Sequence, residues 1–132
     1  MIEKQFTLYL ENKAGVLADL TARLAAAKVN IEGISVAESS DVAIVQLVVN
    51  RARAAAAVLK KAKISYTVQN VALVHLAHEP GSLAKVLSKI AKDRININYV
   101  YATGSSCEGA CYAVIGAPDL KKVEKAWKAA AK

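Results

Sequence analysis

The amino-acid sequence predicts an α+β fold of two βαββαβ units in tandem, the second of which lacks its last strand. The chain aligns with itself without a gap when Leu10 is placed on Leu76, and its apolar residues follow strand and helix periodicity in the same order in both halves. A length of 132 residues suits one domain or two small ones. We place the units at residues 1–68 and 69–132.

Identical residues in this self-alignment fall where backbone geometry restricts the choice of residue. They lie at a strand end, at a turn glycine, on a helix face and at the start of the next strand. The matched pairs are Leu10 and Leu76, Gly15 and Gly81, Leu17 and Leu83, Ala18 and Ala84, Ala25 and Ala91, Asn30 and Asn96, Ile31 and Ile97, Ser39 and Ser105, Ser40 and Ser106, and Val48 and Val114.

Each element of the first unit follows from residue periodicity. Residues 4–10 alternate apolar and polar side chains, as a half-buried strand does, and residues 12–15 interrupt the alternation. Leu17, Leu20 and Leu24 then recur at helical spacing. The remaining elements are a strand over 30–37, a turn over 38–41, a buried strand over 42–49, a helix that Asn50 can cap and that continues to about residue 61, and a strand over 64–68.

The second unit repeats this order of elements. Its strands are predicted at 71–76, 96–103 and 110–115, its turns at 78–81 and 104–109, and its helices around Leu83, Leu87 and Ile90 and from Pro118 to about Ala130. Residues 63–77 are typical of a nearly continuous strand, with only Gln69-Asn70 as a possible turn. We therefore expect the two units to form one body.

The end of the second unit has a structural consequence. No strand follows its last helix, so one sheet edge is expected to have unpaired backbone groups. A second chain could cover that edge, which predicts a homodimer.

Composition excludes several classes of protein. The chain is 55% hydrophobic and 22% charged, which argues against disorder. No apolar run reaches the roughly 20 residues that a membrane span needs, and the N-terminal residues lack the pattern of a signal peptide. We expect a soluble, cytoplasmic protein that does not contact a membrane. The net charge of +7 favours anionic partners in general.

The two turns between strand and helix are the candidate binding sites. A strand that turns directly into a helix leaves the first helical N–H groups unpaired, and these favour a carboxylate. Gly15 and Gly81 lack a Cβ atom, so a ligand can approach closely; alternatively, they only permit the turn. The backbone amides of residues 12–17 and 79–83 are thus expected to bind the carboxylate of a ligand.

A strand that ends in Leu, followed by Asn-x-x-Gly-x-Leu, a helix and Asn-Ile, resembles the ACT domain. The first copy reads Leu10-Glu11-Asn12-Lys13-Ala14-Gly15-Val16-Leu17 with Asn30-Ile31, and the second Leu76-Ala77-His78-Glu79-Pro80-Gly81-Ser82-Leu83 with Asn96-Ile97. The resemblance covers essentially the whole chain as two copies. It implies ferredoxin-like, stand-alone regulatory modules without a catalytic domain, with amino-acid sites where the two units meet.

The resemblance also implies roles for individual residues. Asn12 in the turn would hold the polar end of the ligand, and Asn30 and Asn96 would reach across from the other unit, so that Asn12 acts with Asn96 and His78 with Asn30. Alternatively, Asn12 caps a helix and Asn30 and Asn96 shape turns. The residues expected at the ligand are Asn12, Lys13, Ala14, Gly15, Val16, Leu17, Asn30, His78, Glu79, Pro80, Gly81, Ser82, Leu83 and Asn96.

The two sites are not expected to be equivalent. His78 stands where the first copy has Asn12, and Glu79 stands where it has Lys13. Lys13 would favour an anionic ligand and Glu79 would oppose one. The turn of the first copy is therefore the preferred site.

Three other functions have weaker support from the sequence. His75, His78, Cys107 and Cys111 could form a Cys2His2 metal site, although the spacing is loose and His75 can face away. RNA binding is disfavoured because residues 42–49 contain no aromatic residue and 110–115 only Tyr112, while Tyr99 and Tyr101 share a face of an outer strand. No residue set indicates catalysis, so we expect neither enzymatic activity nor a cofactor.

Overall fold

The computed structural model describes residues 1–103 and 110–130 and divides the chain into two compact units. The first unit is Lys4–Gln69, and the second combines Met1–Glu3 with the residues from Asn70 onward. The described elements are β1 (Ile2–Glu11), α1 (Val16–Ala26), β2 (Ile31–Ser39), β3 (Val42–Val49), α2 (Ala52–Lys61), β4 (Tyr66–Ala77), α3 (Ser82–Lys92), β5 (Tyr99–Thr103), β6 (Ala110–Gly116) and α4 (Leu120–Ala130). This order confirms the predicted α+β fold.

The first unit is an antiparallel sheet with two helices on one face. Its strands lie in the order β2-β3-β1-β4, with Leu8 of β1 opposite Val45 of β3. Apolar residues alternate along β1 because successive side chains of a strand point to opposite faces. Phe6, Leu8 and Leu10 thus form a buried core with Leu20 and Leu24 of α1 and Ala55 and Leu59 of α2.

The second unit has the corresponding order β5-β6-β4-β1, in which Met1–Glu3, which include the start of β1, take the place of the missing last strand. The Leu73 N–H donates to the Met1 carbonyl at 2.7 Å, and the Met1 ammonium donates to the Leu73 carbonyl at 2.8 Å. The prediction of an open edge beside β4 is therefore wrong, because the start of the chain pairs there. The argument for a homodimer from an open edge does not hold.

The core of the second unit repeats that of the first. Ala72, Val74 and Leu76 of β4 are buried against both helices, and Val86 and Ile90 of α3 occupy the positions that the repeat matches with Leu20 and Leu24. The α4 residues in this core are Val123, Ala126 and Ala130, with Trp127 packed against it.

Backbone geometry repeats at matched positions of the two units, whether or not the residues there are identical. Gly15 and Gly81 precede their helices with φ angles of 88° and 90°, a left-handed conformation that side chains with a Cβ rarely adopt. Lys28 and Arg94, which are also matched in the repeat, follow their helices with φ angles of 59° and 57°. The glycines are thus required by the turn itself.

The two units differ in where the second helix begins, and β5 of the second unit begins later than the sequence predicts. Helix α2 begins at Ala52, which the repeat matches with Pro118, but α4 begins only at Leu120. Pro118 was predicted to begin α4 but precedes it, and Asp119 Oδ1 accepts the Lys122 N–H at 3.2 Å. Strand β5 begins at Tyr99 rather than at residue 96, and the absence of a Cβ at Gly116 leaves room for the Tyr99 ring.

Gln69 and Asn70, which were a possible turn, lie within β4, in agreement with the nearly continuous strand expected over residues 63–77. One local prediction at the start of α2 is wrong. Asn50 does not cap α2, since its Oδ1 accepts the Asn30 N–H at 2.9 Å and Arg51 occupies the cap position. The predicted turn over 104–109 lies outside the described residues. Among the residues that are described, no helix is long and apolar enough to cross a membrane.

Candidate functional site

The turn of the first unit is closed by its own hydrogen bonds. The Asn12 N–H donates to the Asp41 carbonyl at 2.9 Å, and Asn12 Nδ2 donates to the Ser40 carbonyl at 3.4 Å. Lys13 Nζ lies 3.0 Å from Glu11 Oε2, so the cation expected to attract a carboxylate already has an anionic partner. Both Asn12 and Lys13 are exposed.

The first turns of α1 and α3 have the same pattern of used and unused amides. Val16 N–H donates to the Lys13 carbonyl at 3.4 Å, and Ser82 N–H donates to the Glu79 carbonyl at 3.3 Å. The next two amides of each helix have no protein acceptor within residues 1–103 and 110–130; they belong to Leu17, Ala18, Leu83 and Ala84. Each helix thus has two N–H donors that a ligand could use, whereas several of the amides predicted to bind the carboxylate, such as those of Val16 and Ser82, already have protein acceptors.

A cavity of about 380 Å³ lies at the turn of the second unit. It opens to solvent and is bordered by the end of β4, residues 79–82 of the turn, the start of α3 and the end of α4. Its lining residues are His75, Leu76, Ala77, Glu79, Pro80, Gly81, Ser82, Lys85, Val86, Trp127 and Ala130. This volume is in the range of small-molecule sites.

Trp127 forms the wall of this cavity on the α4 side. Its indole Nε1–H donates to the His75 carbonyl at 2.8 Å, which joins the end of α4 to β4 and fixes the ring. The sequence places Trp127 on the apolar face of its helix but gives no indication that it borders a ligand site. Lys85, Val86, Trp127 and Ala130 are among the lining residues absent from the predicted set.

Two opposite charges border the same cavity. Glu79 and Lys85 are both exposed, and neither forms an ion pair within the described part of the chain. An anion and a cation near one apolar wall suit a ligand that itself carries both charges. The second turn therefore has the cavity and both charges, with the free amides of Leu83 and Ala84 directly after the lining residue Ser82, whereas Lys13 in the first turn is paired.

The described part of the chain does not bring His75 and Cys111, two of the four predicted metal ligands, together. His75 contacts the Tyr112 ring at a centroid distance of 4.3 Å, whereas the Cys111 thiol is buried and donates to the Leu76 carbonyl at 3.6 Å. Because neighbouring residues of a strand point to opposite faces, His75 and Cys111 lie on opposite sides of the sheet. The described residues contain no group of three or more potential metal ligands, and Cys107 lies outside them.

The asparagines expected to reach across have local partners. The Asn30 backbone exchanges hydrogen bonds with Asn50, and Asn96 Nδ2 donates to Asn98 Oδ1 at 3.1 Å. Both Asn30 and Asn96 are exposed. Their pairings with His78 and Asn12 stay predictions.

Tyr99 and Tyr101 lie on β5, which is the outer strand of the second unit, as the sequence predicts. Burial, with a smaller contribution from Tyr99, raises the pKa of the Tyr101 hydroxyl above its ordinary value of 10.0. Tyr101 therefore stays uncharged to a higher pH than an exposed tyrosine does.

Comparison with known proteins identifies the family. A family model described as an ACT domain pair matches residues 1–115, which is most of the chain. The chain belongs to the ACT domain pair family. This confirms the resemblance seen in the two Gly-containing turns. No curated protein sequence matches this ACT domain pair.

Solved structures share the fold over nearly the whole chain. Protein BT0572 from Bacteroides thetaiotaomicron is 28% identical with a TM-score of 0.87, and the match covers 98% of this ACT domain pair and 88% of that chain. The ligand-free regulatory subunit of aspartate kinase from Thermus thermophilus is 18% identical with a TM-score of 0.72, covering 98% and 93%. The corresponding subunit from Thermus flavus is 17% identical with a TM-score of 0.67, covering 100% and 96%.

Proposed function

We propose that this ACT domain pair is a non-enzymatic regulatory module that binds a free amino acid in the cavity of its second unit. ACT domains are regulatory modules that bind small molecules such as amino acids, which supports the general function. The observation that carries the proposal is the cavity of about 380 Å³ bordered by Glu79, Lys85 and Trp127.

The chemistry of an α-amino acid matches the groups around this cavity. Its carboxylate would accept hydrogen bonds from the free amides of Leu83 and Ala84, and Lys85 would add a positive charge nearby. Its ammonium would pair with the Glu79 carboxylate. Its side chain would contact Trp127 and Val86, so that apolar contact and charge recognition occur together.

Regulation would follow from ligand linkage. A ligand that binds only one arrangement of the protein stabilises that arrangement by its binding free energy and changes what the protein associates with. A second copy of the chain is the simplest partner, because ACT domains often dimerise. Sedimentation velocity of the protein with and without ligand tests this part of the proposal.

A thermal-shift screen against the twenty amino acids tests the binding proposal. At 100 times its dissociation constant, a bound amino acid should raise the free energy of unfolding by roughly 2.7 kcal/mol. Glu79→Gln and Lys85→Gln should each weaken the effect, because each removes a charge that faces the ligand.

The first unit offers matched control variants for this screen. Lys13 and Asp19 occupy the positions that the repeat matches with Glu79 and Lys85, and Lys13→Gln and Asp19→Asn should leave the thermal shift unchanged. The proposal fails if no amino acid shifts the melting temperature. A shift that Lys13→Gln abolishes and Glu79→Gln leaves intact would instead place the site at the first turn.

A further inference from the structure

The helical face of the second unit carries a concentration of positive charge. Helices α3 and α4 together contain seven lysines and one acidic residue, Glu124. The carboxylate of Glu124 lies 3.1 Å from the Met1 ammonium, so it does not offset the lysines. Helices α1 and α2 contain four cationic residues, of which Arg23 is paired with Asp19 at 2.9 Å. The surplus charge is therefore distributed unevenly between the helix pairs.

A groove of about 410 Å³ runs between α3 and α4 within this charged face. Lys89, Asp93, Lys122, Lys125 and Ala129 line it. Asp93 Oδ1 lies 3.4 Å from Lys89 Nζ, and Lys122 Nζ is 3.9 Å from an oxygen of Asp119. Lys125 has no acidic partner in the described part of the chain. The groove thus has more positive than negative charge.

We propose that this groove, the α3–α4 groove, binds an acidic segment of a partner protein. Carboxylate side chains of a peptide would meet Lys122 and Lys125, and Ala129, one helical turn beyond Lys125, would provide an adjoining apolar surface. The proposal concerns a different surface from the amino-acid cavity, and either can fail without the other.

A peptide fits the α3–α4 groove better than a nucleic acid does. None of its lining residues is aromatic or arginine, so nothing there stacks on a base. Asp93 would repel a phosphate chain that is charged at every nucleotide, whereas carboxylates of a peptide can be spaced around it. Charge complementarity with an adjoining apolar contact is the pattern of a protein interface.

Fluorescence anisotropy with a fluorescein-labelled peptide of ten glutamates tests the proposal. The protein should bind this peptide at low ionic strength, and the affinity should fall as salt is added. The double variant Lys122→Glu, Lys125→Glu should weaken binding by about tenfold or more, since like charges then face each other. Lys125→Gln, a milder change at a residue that lines the groove, should weaken it by a smaller factor.

The control variant is Lys60→Glu, Lys61→Glu in the last turn of α2, which makes the same change in net charge. It should retain most of the affinity. The proposal is overturned if both double variants lose affinity equally, if the peptide does not bind, or if a single-stranded DNA of ten nucleotides binds more tightly than the peptide and competes with it.

Discussion

Replacing Ile90 by alanine should lower the free energy of unfolding by about 2–5 kcal/mol. Ile90 is fully buried in α3, within the core that includes β4, β6 and α4. Alanine removes apolar contacts and leaves a cavity that the neighbouring side chains cannot fill completely. Chemical denaturation followed by circular dichroism and by the fluorescence of Trp127, the one tryptophan of the sequence, measures the change.

Two further variants make this prediction specific. Leu24 stands at the matched position of the first unit and is equally buried, so Leu24→Ala should have a cost in the same range. Lys92→Ala, on the exposed side of α3, should change stability by no more than about 0.5 kcal/mol. A loss below about 1 kcal/mol for Ile90→Ala would contradict the described core.

Trp127→Ala should weaken amino-acid binding by about tenfold or more, which corresponds to about 1.4 kcal/mol. The substitution removes the ring that forms one wall of the cavity and the donor to the His75 carbonyl. Trp127→Phe should retain a larger part of the affinity, because it keeps an aromatic wall and loses only the indole N–H. Calorimetric titration with the amino acid that gives the largest thermal shift measures both variants.

A stability control distinguishes the contribution of Trp127 to ligand binding from its contribution to the stability of the fold. Val123 is fully buried in the same helix but does not line the cavity, so Val123→Ala should destabilise the protein and leave ligand affinity nearly unchanged at a temperature where it is folded. Equal losses of affinity in Val123→Ala and Trp127→Ala would show that Trp127 acts only through stability.

The repeat and its turns could be predicted from the sequence because they depend on local physics. Strand alternation, helical spacing and the two glycines each restrict the conformation of a short segment. The φ angles of 88° at Gly15 and 90° at Gly81 confirm that each glycine lies in a turn. Strand β3, over residues 42–49, was predicted with the bounds that the structure has. Its run of Val and Ile favours a strand, and the turn residues on either side define where that strand begins and ends.

Long-range pairing could not be predicted in the same way. Nothing in residues 1–3 indicates that they pair with Leu73, because a short strand segment has no signal for a partner so far along the chain. The cavity depends on tertiary structure too, since Trp127 reaches it only when α4 packs against β4. Periodicity places Trp127 on a buried face and cannot distinguish core from site.

Two residues that are compatible with more than one local role were assigned the wrong role from the sequence. An asparagine before a helix can cap it, but Asn50 instead accepts a hydrogen bond from the Asn30 amide. Pro118 fits the first turn of a helix, yet Asp119 next to it is the residue whose side chain accepts the Lys122 N–H. Asn30 is 20 residues from Asn50 and reaches it only in the folded chain, whereas Asp119 and Lys122 are only three residues apart.

The most direct test of the amino-acid site is the response of four backbone amides to ligand in two-dimensional NMR spectra. The free N–H groups of Leu83 and Ala84 follow the cavity-lining Ser82, and those of Leu17 and Ala18 are their matched counterparts in the first unit. On titration with the amino acid that gives the largest thermal shift, the signals of Leu83 and Ala84 should move saturably while those of Leu17 and Ala18 stay in place. Movement of Leu17 and Ala18 alone, or of none of the four, would contradict the site in the second unit.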